Sequence, residues 1–364
     1  MRIEELDTPA VIVDWDVMQE NIRSLADYCL KHGIGLRPHT KTHKIPAIAK
    51  MQIQAGCQGI TVAKVGEAEV MAAAGLEDIL IAYPVLGTSK LERLAKLARD
   101  RKITVGVDSM EAIEGISQVG RRADSHISIL IEFDMGMQRC GLQSPEALVS
   151  MARNVEKLPG VRFAGIMFYP GHIWDLPPDQ LPALLKVSQK VREIREKLRQ
   201  HGLECEVVSG GSTPTAYNSH LVQGITEIRA GTYVFYDMNE AGVQACKLSQ
   251  CALKVLVTVI SNAVEGKAMI DGGSKTFSGD RLISGDKTGF GYITEHPEIK
   301  FVSMSEEHGH LDLGLSSHKP SVGEKLSIIP NHVCACVNMH DQIYYHRKGI
   351  VEGMWTVEGR GKVR

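Results

Sequence analysis

The pattern that most limits this chain is an alternation. Eight short β-branched runs, "GIGLRPHTK", "GITVAK", "DILIAY", "ITVGVD", "ISILIEFD", "RFAGIMFY", "ECEVVSGG" and "EIRAGTYVFY", follow one another with helical stretches between them. Two of those stretches, "SKLERLAKLARDR" and "ALLKVSQKVREIREKLRQHG", carry apolar residues at helical spacing, and the second closes on Gly202 as a helix C-cap does. Eight strand–helix units in about 220 residues match a closed parallel barrel better than an open doubly wound sheet. The expectation is an α/β fold, a (β/α)8 TIM barrel over residues 14–244.

Beyond Lys247 the pattern changes. "ALKVLVTVISNAVEGKAMIDGG", "KLSIIPNHVCACVNMHDQIYYHRKG" and "IVEGMWTVEGRG" read as strands joined by short Gly, Asn and Asp turns. A second, mostly β domain is expected over 245–364. It takes in residues 1–13, because the opening "TPAVIVDW" is strand-like but belongs to no barrel ladder. A length of 364 residues suits two such cores.

A formal charge of −2 and a pI near 6.7 leave no basic excess for nucleic acid or anionic membranes. No run approaches the roughly 20 apolar residues of a membrane span, and the N-terminus lacks the plan of a signal peptide. The eight cysteines are scattered, which suits free thiols in a reducing compartment. A cytoplasmic protein with a small-molecule partner is expected.

In a barrel, chemistry collects where strands end. The first strand ends in "LRPHTKTHK", where alternation puts Arg37, His39 and Lys41 on one face, toward the barrel mouth. Burying such cations costs several kcal/mol each unless something offsets it, roughly as for any buried ion. A desolvated lysine is also a competent amine nucleophile, able to form Schiff bases with carbonyls or with pyridoxal 5'-phosphate, PLP. A lysine that merely snorkels to solvent is the plainer alternative.

The other strand ends add Arg139, then Tyr169 and His172, then the "SGGS" loop of Ser209, Gly210, Gly211 and Ser212, and finally Gly231, Thr232 and Tyr233. Loops after the seventh and eighth strands of a barrel commonly hold phosphate on their backbone N–H groups. Each feature alone is ordinary: a Gly-Gly turn, a surface arginine, a loop histidine. A lysine on the first strand with a phosphate cradle on the last two describes a PLP pocket.

In "PNHVCACVN", read as a strand, His332 and Cys334 fall on one face at i and i+2 and could share a cation, with zinc favoured by nitrogen and thiolate donors. Two protein ligands leave positions for water and substrate. Cys336 points the same way on such a strand, so a third ligand stays open.

With "RPHTKTHK", "FDMGMQRCG", "FYPGH", "SGGSTPT", "RAGTYVFYD", "IDGGSKTFSGD", "SEEHGHL" and "PNHVC", the chain resembles the D-threonine aldolase and D-serine dehydratase family, the metal-dependent branch of the alanine racemase-like, fold-type III PLP enzymes. The resemblance runs through nearly the whole chain. It implies a cytoplasmic homodimer, PLP joined to Lys41, Arg139 near the cofactor's phenolic oxygen, and His39, Tyr169 and His172 lining it. It further implies phosphate held by Ser209, Gly210, Gly211, Ser212, Gly231, Thr232 and Tyr233, and a divalent metal, Zn or Mn, on a catalytic His332 with Cys334.

The implied substrate is a β-hydroxy-D-amino acid. The expected activity is that of a D-threonine aldolase, giving glycine and acetaldehyde. The alternative is a D-serine dehydratase, giving pyruvate and ammonia, which Cys334 favours because an Asp in that position goes with aldolases. A racemase would need a second base opposite Lys41 and no metal, and a non-catalytic PLP-binding protein would need neither metal nor second domain.

Overall fold

The computed structural model describes residues 1–283, 288–314 and 316–364. Two compact units make up the chain. One comprises Met1–Arg23, Thr42–Ile45 and Thr232–Arg360; the other comprises Ser24–Lys41, Pro46–Gly231 and Gly361–Arg364. Against the sequence expectation, the division falls at 231/232 and not at 244/245, and the first helix is shared at 23/24. The reason at the first point is local: Asn239 N–H donates to the Asn331 carbonyl at 3.2 Å, which fastens this stretch to the later strands.

The chain opens with β1 (Ala10–Asp14) and α1 (Trp15–Lys31). The barrel unit then builds β2 (Gly35–Leu36), β3 (Ile60–Val62), β4 (Asp78–Ile81), β5 (Lys102–Val107), β6 (Ile127–Glu132), β7 (Val161–Met167), β8 (Val207–Gly210) and β9 (Glu227–Ile228). All eight are parallel, in the order β2-β9-β8-β7-β6-β5-β4-β3. A parallel bridge between His39 and Thr61, with Thr61 N–H donating to the Pro38 carbonyl at 2.8 Å, joins the two ends of this curled sheet. These eight strands are the eight runs of the sequence.

Helices α2 (Pro46–Gln54), α3 (Val65–Ala73), α4 (Thr88–Asp100), α5 (Met110–Ala123), α6 (Pro145–Val155) and α7 (Leu181–Gln200) alternate with them. Strand parity divides the apolar residues. Ile79, Ile81, Ile129 and Ile131 pack with the helices, while Leu80, Leu130, Ala164 and Met167 form a separate inner cluster.

Charge accompanies that inner cluster. Arg37, 8% exposed, donates from Nε to Glu227 Oε2 at 2.9 Å and from Nη1 to Asp78 Oδ1 at 2.6 Å. Glu227 also accepts from Gln58 and from the Ser209 hydroxyl, and Arg229 donates to the Ser209 hydroxyl at 2.6 Å and to the Phe168 carbonyl at 2.7 Å. Arg37 is therefore an internal tie between β4 and β9 and not a group at the mouth. Replacing it, as in Arg37→Met, strands the buried Glu227 without its bonded cation and leaves Asp78 only the exposed Lys102, 2.7 Å away. We expect a loss of about 3–5 kcal/mol, the usual penalty for breaking a buried pair, measured as a lowered urea midpoint.

In the second unit, β10 (Leu253–Ser261), β11 (Lys267–Ile270), β12 (Gly291–Ile293), β13 (Lys300–Met304), β14 (Gly309–Asp312), β15 (Lys325–Pro330), β16 (Gln342–Arg347) and β17 (Ile350–Thr356) join β1 in a nine-stranded sheet. β1 pairs antiparallel with β10 and parallel with β16. Three short helices belong here: α8 (Met238–Gly242), α9 (Ser274–Phe277) and α10 (Val333–Val337). Among the described residues, which include all eight cysteines, no disulfide forms. No described helix is long and apolar enough to cross a membrane.

Candidate functional site

In the barrel unit, β2 is only two residues long because Pro38 has no N–H for a ladder. The chain stays extended to His39, whose N–H donates to the Ala230 carbonyl at 3.0 Å, and then turns into a 3-10 segment, Thr40–Thr42. Lys41 thus lies in a turn, and the strand alternation that was to align it with Arg37 does not reach it. Its side chain is exposed, so the expectation of a desolvated amine is corrected. His39 is half-buried, and its Nδ1 accepts from the Lys41 N–H at 3.4 Å.

Three expected residues do meet. The Lys41 ammonium lies 6.0 Å from the Tyr169 ring centroid, and the Arg139 guanidinium 5.0 Å from the same ring. Gly171 makes room for that ring, since a Cβ there would collide with it. Arg139 also approaches Glu132 at 3.9 Å. Burial pushes the Glu132 carboxyl above its usual range, partly offset by the guanidinium groups of Arg229 and Arg139. His172 is exposed, and a Cβ on Gly136 would lie 2.9 Å from its imidazole.

The loop after β8 divides the phosphate expectation. Ser209 is fully buried, donates to Glu227 Oε1 at 2.6 Å and accepts from Arg229, so its hydroxyl is committed to the inner network and is not offered to a phosphate. Strand parity explains this, because Ser209 shares the inner face with Val207. Gly210 lies under the Phe168 ring, which takes the space of a side chain, and Gly211 has φ of 81°. The Ser212 hydroxyl bonds to that of Thr215 at 3.0 Å. The N–H groups of Gly211, Ser212 and Gly231 find no acceptor among the described residues. Unpaired donors beside a left-handed glycine suit an anionic oxygen. They fit a phosphate without the Ser209 hydroxyl.

The second unit holds the remaining expected residues. Tyr233 is fully buried, and the Thr232 hydroxyl lies 3.9 Å from Cys334 Sγ. His332 and Cys334 are not on a strand: His332 is the N-cap of α10, and Cys334 lies in its first turn. The strand reading failed because "PNHVCACVN" is apolar without a decisive period, and Asp237 supplies what starts the helix. Its Oδ2 accepts from Val333 N–H at 3.0 Å and from His332 Nδ1 at 3.1 Å, while its Oδ1 caps α8 through Glu240 N–H at 3.0 Å. Cys336 is buried and donates to the Thr276 carbonyl at 3.3 Å, which removes it as a third ligand; a two-residue step carries it to the far side of a helix.

Asp237 was the residue sequence reasoning missed. It stood at the end of "RAGTYVFYD" and could have been found only by pairing it with a distant histidine. With Asp237 on Nδ1 and the Cys334 sulfur hydrogen-bonded to the same imidazole, the ring is held between a carboxylate and a sulfur, and a carboxylate behind the ring is the arrangement that orients metal-bound histidines. The Cys334 thiolate, followed by the Asp237 hydrogen bond, pushes the His332 imidazolium up to about 12 against the opposing effect of burial. Cys334 Sγ also lies 3.2 Å from the Thr42 hydroxyl, and Thr42 follows Lys41 in sequence. A soft thiolate and an oriented imidazole form a donor set for a borderline divalent ion. Glu240, also buried, has an Oε2 with no partner among the described residues.

We expect Asp237→Asn, whose single carbonyl oxygen can keep only one of the two helix caps, to cost about 1 kcal/mol of stability and to weaken divalent-metal affinity roughly 10–100-fold. Competition with a chromophoric chelator measures it.

Residues 13–239 match the family model for the alanine racemase N-terminal domain, and 252–346 match that for a putative serine dehydratase domain. The chain is 32% identical to a D-threonine aldolase of Arthrobacter sp over 99% of its own length and 94% of the relative's. It is similar to the crystal structure of D-threonine aldolase from Filomicrobium marinum, with a TM-score of 0.92 and 33% identity over 99% and 98% of the two chains. It is also similar to a cysteine-to-alanine mutant of D-threo-3-hydroxyaspartate dehydratase in the metal-free form, with a TM-score of 0.89 and 31% identity over 98% of each chain. A barrel with a basic turn and a phosphate-ready loop, followed by a β unit with a histidine–cysteine pair, agrees with both halves of that match. The chain belongs to the alanine racemase-like, fold-type III family of PLP enzymes, in the branch whose members are aldolases and dehydratases.

Proposed function

We propose that this chain is a PLP- and divalent-metal-dependent lyase of β-hydroxy-D-amino acids that cleaves D-threonine to glycine and acetaldehyde. The observation that carries this reading is the full-length likeness to D-threonine aldolases together with the His332–Asp237 and Cys334 cluster. When bound, PLP supplies an electron sink at the substrate's α-carbon and the divalent ion a Lewis acid for its β-hydroxyl. Lys41 attaches the cofactor's aldehyde. Arg139, Tyr169, His172 and His39 orient its ring, and backbone donors at Gly210, Gly211, Ser212, Gly231, Thr232 and Tyr233 hold its phosphate. Ser209 takes no part.

His332 and Cys334 hold the metal, with Asp237 fixing the imidazole. The sulfur donor favours zinc over manganese. The reading includes a cytoplasmic homodimer, which light scattering after size exclusion tests.

Cys334 supports a second reading, dehydration of D-serine or a related substrate, because the metal-free dehydratase mutant mentioned above lacks a cysteine. One assay separates the two. D-Threonine and D-serine are incubated with the holoenzyme and zinc or manganese, and glycine and keto acid are measured separately. Glycine with acetaldehyde is expected; keto acid without glycine replaces the aldolase reading by the dehydratase one, and neither product from either substrate rejects both.

A further inference from the structure

We propose that the β unit carries a second divalent-metal site, independent of His332 and Cys334, formed by His296, His318 and Glu324. One ligand atom from each lies within 4.8 Å of the other two. These residues come from two loops, one supplying His296 and the other both His318 and Glu324. His296 sits between β12 and β13, His318 between β14 and β15, and Glu324 immediately before β15.

The geometry points inward from each side. Glu324 Oε1 is 2.7 Å from His318 Nε2 and 3.9 Å from His296 Nε2, so both ring nitrogens face one carboxylate oxygen. The two imidazoles are parallel within 8° at 3.8 Å between centroids. Two nitrogens on one zinc ion stand roughly 3.4 Å apart, given Zn–N distances of about 2.0–2.1 Å and tetrahedral angles, close to this separation, and the rings reach one ion by turning out of their parallel stack so that both lone pairs converge on it.

The surroundings are those of oriented ligands. His296 turns its other nitrogen, Nδ1, toward Glu298 Oε1 at 3.6 Å, and that oxygen is itself held by the Ser316 hydroxyl at 2.7 Å. Ser316 also accepts from the His318 N–H at 3.1 Å, and Glu324 Oε2 accepts from the Ser321 N–H at 2.9 Å. A carboxylate behind a ligating imidazole fixes the tautomer that leaves Nε2 free. Two histidines and one carboxylate suit Zn2+ or a similar borderline ion and leave a coordination position for water. Because β12 pairs with β15 and β13 with β14, an ion here fastens the ends of two antiparallel pairs.

Cobalt tests this without reference to activity, since a thiolate ligand gives an intense near-ultraviolet charge-transfer band that a nitrogen–oxygen site lacks. The holoenzyme is dialysed against micromolar Co2+, freed of loose ion by gel filtration and its bound cobalt counted. His318→Gln and Glu324→Gln are each expected to remove one equivalent per chain and leave any thiolate band unchanged. His332→Ala/Cys334→Ala is expected to retain one equivalent with no such band. A wild type with one equivalent and no thiolate band, lost in His318→Gln, upholds this site while rejecting the His332 one. If both His318→Gln and Glu324→Gln bind as much cobalt as wild type, with circular dichroism confirming the fold, the proposal is overturned.

Discussion

Lys41→Ala should lower turnover of any β-hydroxy-D-amino acid by about 10³-fold or more, because no other group replaces a covalently attached amine. The side chain is exposed and sits in a 3-10 turn, so its removal should alter stability by only about 0.5 kcal/mol, the usual range for such surface changes. Loss of activity at an unchanged melting temperature therefore reads as chemistry. Borohydride treatment of the wild type should leave a reduced cofactor on the peptide containing Lys41, and the variant should show none there. A reduced adduct on a different lysine in the wild type would remove Lys41 from the proposed role. Exposure leaves the placement of this amine to its neighbours. Tyr169 and Arg139, which meet around one ring, are the groups placed to position it.

His332→Ala should be nearly as severe. It removes the imidazole that Asp237 holds, and it leaves a carboxylate, 0% exposed, that keeps its bonds to Val333 and Glu240 but loses a cationic partner. We expect turnover to fall by about 10²–10³-fold, comparable to losing one electrostatic stabiliser in a closed site, and the remainder to be indifferent to added metal. The informative comparison is a metal titration of the two proteins side by side. Wild-type activity should fall on chelation and return with zinc, whereas the variant should respond to neither; ordinary metal-stimulated turnover in the variant would end the metal assignment.

Much of this was legible beforehand for physical reasons. The eight barrel strands announced themselves because parallel strands covered on both faces are continuous apolar runs, as in "ISILIE" of β6, and the helices between them are amphipathic. The β unit was legible from its short turns. What failed was local. Lys41 was assigned by strand parity two residues past the end of regular pairing, and Pro38 was the warning. His332 and Cys334 were given a strand because an apolar five-residue stretch has no period to choose between helix and strand, and the deciding cap, Asp237, lies 95 residues earlier. Ser209 was read as a loop hydroxyl although it still belongs to β8, whose inner face meets Glu227. His296, His318 and Glu324 gave no sequence signal, because only the sheet's pairing unites their loops.

The double duty of Asp237 bears on how this protein can be re-engineered. Because one carboxylate anchors both α8 and α10 as well as the histidine, libraries randomised at 237 or 332 will return mostly clones with damaged local backbone. Position 334, whose neighbours include the hydroxyls of Thr42 and Thr232, can be varied without touching that anchor. Shifting metal preference, or trading one lyase outcome for another, is best begun there.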